Sequence, residues 1–156
     1  MSLLASIFTL FGCNKATFED QWTLATGHDN NGKPMIVRFR SNVPAGVDIK
    51  QYPHLLVVSW KYEPWSEEGM PSESDNERMV LFEQLLDSLE AKRTAFMTVA
   101  VTCNGVKEWQ WQSRDHEETM KSLNSALSGQ NPFPIEISQQ EDPGWSTYFG
   151  FRSTAK

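Results

Sequence analysis

Residues 95–112 read AFMTVAVTCNGVKEWQWQ, and the reading of this stretch decides the fold. Two runs rich in β-branched and aromatic residues flank Asn104-Gly105, a dipeptide that marks hairpin turns because both positions take positive φ. A two-residue loop sets Val99 opposite Gln110 and Met97 opposite Gln112, mixing apolar with polar on each face. A three-residue loop, Cys103-Asn104-Gly105, sets Val99 opposite Trp109 and Met97 opposite Trp111. That register keeps one face apolar, and a slip of one residue would invert it. The three-residue loop is therefore expected.

Working outward, each side of this hairpin carries a helix. Upstream, Ser74-x-x-Glu77 has the form of a capping box. Met79, Phe82, Leu85, Leu86 and Leu89 follow at helical spacing, which predicts a helix over 75–91. Downstream, Asp115-x-x-Glu118 starts a second helix over 115–128, with Met120, Leu123 and Leu127 as its stripe. Gly129 is placed to end it. Beyond the helices, His54–Tyr62 (HLLVVSWKY) is an apolar run suited to a central strand. Phe133–Ser138 alternates as a last short strand. Residues 139–156 read as a tail.

The order strand–helix–strand–strand–helix–strand is that of an α+β fold of the ferredoxin-like, split βαβ kind. It predicts two helices on one face of a mainly antiparallel sheet. In the simple plan 95–103 is an edge strand, yet it is too apolar for an edge. An N-terminal hairpin precedes the core: Trp22, Leu24 and Thr26 alternate, His28–Gly32 supplies a turn, and Met35, Val37 and Phe39 alternate with Arg38 and Arg40. It has one apolar and one partly basic face, and laying it beside 95–103 would hide that edge. Residues 42–53 read as a loop. The organisation is an apolar segment over 1–17, one domain over 18–151 and a tail over 152–156.

The 156 residues carry 14 Lys and Arg against 20 Asp and Glu, a net charge of −6. That sign opposes nucleic acid and anionic membrane as partners, and no apolar run is long enough to span a bilayer. Cys13 and Cys103 form no disulfide framework, so reduced thiols are expected. The first 13 residues, MSLLASIFTLFGC, admit two readings. Leu4, Ile7, Phe8 and Phe11 share one helical face, which fits a short helix and a cytoplasmic location. Leu10–Cys13 loosely imitates a lipoprotein box, which would mean a lipid-anchored or periplasmic protein, but no Lys or Arg precedes it.

Several motifs together carry a resemblance. They are Trp22, Gly32-Lys33-Pro34 with Arg38, Trp60-Lys61-Tyr62, Gly69-Met70-Pro71, Glu108-Trp109 and Asp142-Pro143-Gly144-Trp145-Ser146-Thr147-Tyr148. In order and spacing, from about Phe18 to Phe151, the chain is similar to the bacterial domain-of-unknown-function family 695. The resemblance implies no activity, cofactor or catalytic residue. The order of elements also looks like that of the ribonuclease E inhibitor B proteins, an analogy of architecture only.

The chemistry-bearing residues are scattered. His28, His54, His116, Cys13 and Cys103 lack the spacing of a metal ligand set, and Cys103 has no evident base partner. No catalytic, cofactor or metal residue is assigned on this basis. Of six tryptophans, Trp22, Trp60 and Trp109 are expected in the core. Trp65 and Trp145 sit in Pro/Gly-rich loops, and amphipathic rings in loops are favoured at interfaces. With Glu63, Glu67, Glu68, Asp142 and Tyr148 they define a candidate interaction surface for a basic or amphipathic protein partner. Glu141 adds to the acidic surround. The expected function is a non-catalytic interaction or regulatory module. The alternative is a small-molecule binder or enzyme using the acidic loop 63–77 with His54 or His116.

Overall fold

A computed structural model describes residues 22–154. Six strands form one antiparallel sheet: β1 (Trp22–His28), β2 (Pro34–Arg40), β3 (His54–Lys61), β4 (Ala95–Cys103), β5 (Val106–Ser113) and β6 (Ile135–Glu141). Their spatial order is β1-β2-β4-β5-β3-β6. Three helices are interspersed: α1 (Glu73–Ala91), α2 (His116–Leu127) and α3 (Ser146–Thr154). The fold is α+β. β2 pairs with β4, Val37 opposite Val101 and Phe39 opposite Val99. The N-terminal hairpin thus covers the apolar edge of β4, as a sheet with both faces buried requires.

The first face of the sheet lies under α1 and α2. Met79, Phe82, Leu86 and Leu89 of α1 and Leu123 of α2 are buried against Leu56, Val58, Trp60, Trp109 and Trp111. Phe82 stacks edge-on or tilted with Trp60, Trp109 and Phe133, at centroid distances of 6.1, 4.9 and 5.4 Å. Each such ring contributes about 1.5–3 kcal/mol by burial. The helix starts at Glu73, two residues before the expected position. The cap is Ser72, whose Oγ accepts from the Asp75 N–H and donates to its carboxylate. A shorter carboxylate thus takes the place of Glu77 in the expected box. α2 begins as expected, with the Asp115 carboxylate accepting from the Glu118 N–H.

The second face holds Met35, Val37 and Phe39 of β2, Phe96, Val99 and Val101 of β4, and Tyr52, Trp145 and Tyr148. What was expected as a tail from residue 139 contains the end of β6 and the whole of α3, which supplies Tyr148 to this face. The expected three-residue loop between β4 and β5 does not form. The β4–β5 turn is the two-residue Asn104-Gly105 loop, with φ of 44° and 80° as a type I′ turn needs. Val99 therefore faces Gln110. Met97 still faces Trp111, because a bulge between Met97 and Val99 inverts the alternation. Mixed apolar and polar pairs are tolerated because the face carrying Gln110 and Gln112 is itself covered.

In β1 the residue sharing the buried second face with Val37 is Ala25, not Trp22 or Leu24. Trp22 is half-buried rather than core. The Arg38 and Arg40 guanidinium groups lie over its ring at 5.0 and 4.8 Å. Those arginines reach α1, Arg38 to Glu83 and Arg40 to both oxygens of Glu90, each at 2.6 Å.

Candidate functional site

The acidic loop after β3 is held from both ends. The Tyr62 N–H donates to the Gly105 carbonyl, and the Gly105 N–H donates to that of Gly69. The Tyr62 hydroxyl also donates to the Gly69 carbonyl at 2.8 Å. Burial pushes this phenol up to about 12, so it stays a donor. Gly69 has φ of +81°, and a Cβ there would lie 2.7 Å from the Asn104 Cα, so only glycine lets the loop sit on the β4–β5 turn. Inside the loop, the Trp65 N–H donates to Met70 and the Gly69 N–H to Ser66. Lys33 of the first turn donates to the Glu67 carbonyl.

On this pinned backbone the Trp65 ring is 79% exposed. Glu63, Glu67 and Glu68 are exposed beside it in sequence. Trp65 also borders a shallow cleft of about 400 Å³ whose other walls are Ser72, Glu73, Ser74 and Glu77, at the first turns of α1. An aromatic face with two carboxylates is a cation-attracting arrangement.

Trp145, Asp142 and Tyr148 do not join that surface. Trp145 is fully buried, and its indole N–H donates to the Tyr52 carbonyl at 2.9 Å. The buried Asp142 carboxylate accepts from the Ser146 N–H and hydroxyl, the Thr147 N–H and the Gln112 amide. Burial alone would raise its pKa, but these donors outweigh it and hold the carboxyl below the usual range. The Tyr148 hydroxyl donates to the Arg40 carbonyl at 2.9 Å. Together these residues clasp α3 onto the second face. A ring with its N–H already satisfied in the core has nothing to offer a partner, so the candidate surface contracts to Trp65 and its flanking glutamates.

The structure brings together three residues that sequence spacing left apart. His54 opens β3, His116 opens α2 and Glu141 closes β6. His54 Nδ1 lies 2.8 Å from Glu141 Oε1 and His116 Nε2 lies 3.8 Å from the same oxygen. The two imidazole rings lie 4.2 Å apart, tilted by 39°. Burial, and then the neighbouring His54, push the His116 pKa below its usual value. Their meeting becomes readable once the register is known: His54 pairs with Glu141 on one side and Ser113 on the other, and His116 follows Ser113 by three. The acidic loop borders a different histidine, since Glu68 and His28 line one cleft.

A family model, DUF695, described as a family of unknown function, matches residues 20–152. The chain belongs to the DUF695 family. No curated protein matches it. In this DUF695 chain several of the motifs that carried the resemblance are fold-determining. Gly69 seats the acidic loop, Trp60 and Trp109 fill the first core, and Asp142 with Trp145 clasps α3. A further concavity of the DUF695 domain is a groove of about 460 Å³ on the second face, between the first turn and α3. Cys103, Glu108, Gln110, Thr147 and Phe151 line it. Cys103 carries a free thiol there, its pKa raised by burial. Cys13 lies outside the described residues, as does the expected helix or signal over 1–13. Among the described residues no helix is long and apolar enough to cross a membrane.

Proposed function

We propose that this domain is a non-catalytic interaction module that docks a basic protein segment on Trp65 and the acidic loop. The reading rests on one observation: a tryptophan 79% exposed on a loop whose backbone is fixed by hydrogen bonds at both ends. Burying such a ring in a partner yields several times the energy of an average contact, and little ordering cost remains because the loop is already set. A Lys or Arg side chain fits the cleft between the Trp65 ring and the carboxylates of Glu73 and Glu77. The net charge of −6 steers such a partner from a distance. The core is read as a ferredoxin-like scaffold working in the cytoplasm, consistent with the free thiol of Cys103.

An array of Lys- and Arg-rich peptides tests this. Binding to the wild type should weaken with added salt and fall about tenfold or more in Trp65→Ala, with the melting temperature unchanged. Equal binding by the variant would defeat the reading. A second reading, a small-molecule binder, is favoured by the second-face groove, where the buried Gln110 leaves its Oε1 without a partner.

A further inference from the structure

We propose that His54, His116 and Glu141 form a binding site for a divalent transition-metal ion of the zinc class, with at least one coordination position open to solvent. One ring nitrogen of each histidine and a Glu141 carboxylate oxygen lie within 4.8 Å of one another, with His54 Nδ1 and His116 Nε2 the nitrogens nearest Glu141 Oε1. A tetrahedral ion with bonds of about 2.0–2.2 Å spaces its ligands roughly 3.3 Å apart. The contacts of 2.8 and 3.8 Å bracket that spacing, so small side-chain rotations close the set around an ion.

The backbone positions are fixed by the fold. The β3–β6 ladder places His54 opposite Glu141, the β3–β5 ladder places it opposite Ser113, and the Asp115 cap sets the first turn of α2 that carries His116. A site built on element ends of this kind is held by the sheet rather than by loop chance.

Hydrogen bonding does not account for His116. Its Nε2 stands 3.8 Å from the carboxylate, beyond hydrogen-bond range, so no hydrogen bond explains its place beside Glu141. One carboxylate oxygen lies close to both imidazoles, an arrangement that gathers three lone-pair donors on one side of the site. Two imidazoles and a carboxylate suit zinc and its first-row neighbours rather than calcium or magnesium, which take mostly oxygen. Glu141 is 68% exposed at its side chain, so the ion would face solvent and keep an open position, unlike a closed four-ligand structural site. The site lies on elements other than the Trp65 loop and stands independently of the docking proposal.

The test uses the full chain, stripped with a chelator and dialysed. Titration with Zn²⁺ by calorimetry should give one ion per chain. Co²⁺ should develop visible ligand-field bands without the charge-transfer band that a cysteine thiolate would add. Glu141→Gln, a change at an exposed side chain that leaves folding intact, should weaken Zn²⁺ about tenfold or more. The double variant His54→Ala/His116→Ala should abolish uptake, while His28→Gln should leave it unchanged. Absence of saturable Zn²⁺ binding by the wild type would overturn the proposal. So would wild-type affinity in Glu141→Gln and the double variant, or loss of binding in His28→Gln alone.

Discussion

The two faces of the sheet are covered in different ways. On the first, two helices lay a continuous aromatic and aliphatic layer over Trp60, Trp109 and Trp111, and the Trp109 N–H is satisfied by Glu83 at 2.7 Å. On the second, a nine-residue helix and the 43–52 segment do the covering, and Gln110, Gln112 and Asp142 are buried among the apolar residues. The difference teaches that long helices seal a face mainly with apolar side chains, with Glu83 and Glu90 of α1 bonding the sheet beneath. A short cover needs buried polar clasps to fix its position, and it leaves a groove where it stops.

The largest expected effect tests whether that short cover is structural. Trp145→Ala should cost about 3–5 kcal/mol in a denaturant titration, as truncation of a fully buried ring does. Trp65→Ala should stay within about 0.5 kcal/mol of the wild type. Similar losses in both would erase the distinction between the two loops. Next, Asp142→Ala should lose about 1–3 kcal/mol, because Gln112 and the first turn of α3 are left without their acceptor. Protease susceptibility should rise around α3 and nowhere on the first face; a uniform rise would mean that the two faces do not behave separately.

The smallest effect sharpens the first face. Burial would raise the pKa of Glu83, but Arg38, Lys107 and the Trp109 N–H outweigh it and hold it below the usual glutamate value. As pH falls, the unfolded chain takes up this proton first. The stabilisation is therefore complete above the ordinary carboxylate pKa and is lost as pH approaches the lowered folded one. Glu83→Gln keeps an acceptor for Trp109 but drops the ion pairs, costing about 1 kcal/mol at neutral pH. Its stability should fall less steeply than that of the wild type in acid; parallel curves would remove Glu83 from the account.

Much of this was legible in the sequence. The helical stripes at 79–89 and 120–127 and the antiparallel sheet follow from periodicity, because long regular elements repeat their signal many times. The bulge at Thr98 carries no such signal: one extra residue exchanges the faces of everything beyond it. α3 was hidden because its carboxylate cap, Asp142, stands four residues before Ser146 rather than next to it, and a glycine in its middle, Gly150, weakens the helical signal. Trp65 and Trp145 both follow a proline closely. What separates them is whether an uncovered apolar face and a carbonyl for the indole N–H lie within reach, which only the tertiary arrangement decides.

The strand order carries a kinetic consequence. Of the five ladders in the sheet, only β1–β2 and β4–β5 join strands adjacent in sequence. The other three close long loops, with β3 in the interior waiting for partners that lie far along the chain, so chain entropy must be lost before most of the sheet can reward it. The two hairpins are the units able to form early. The search expected to limit the rate is the one that delivers β3 between β5 and β6, so refolding should be slow for a chain of this length because of where one strand sits.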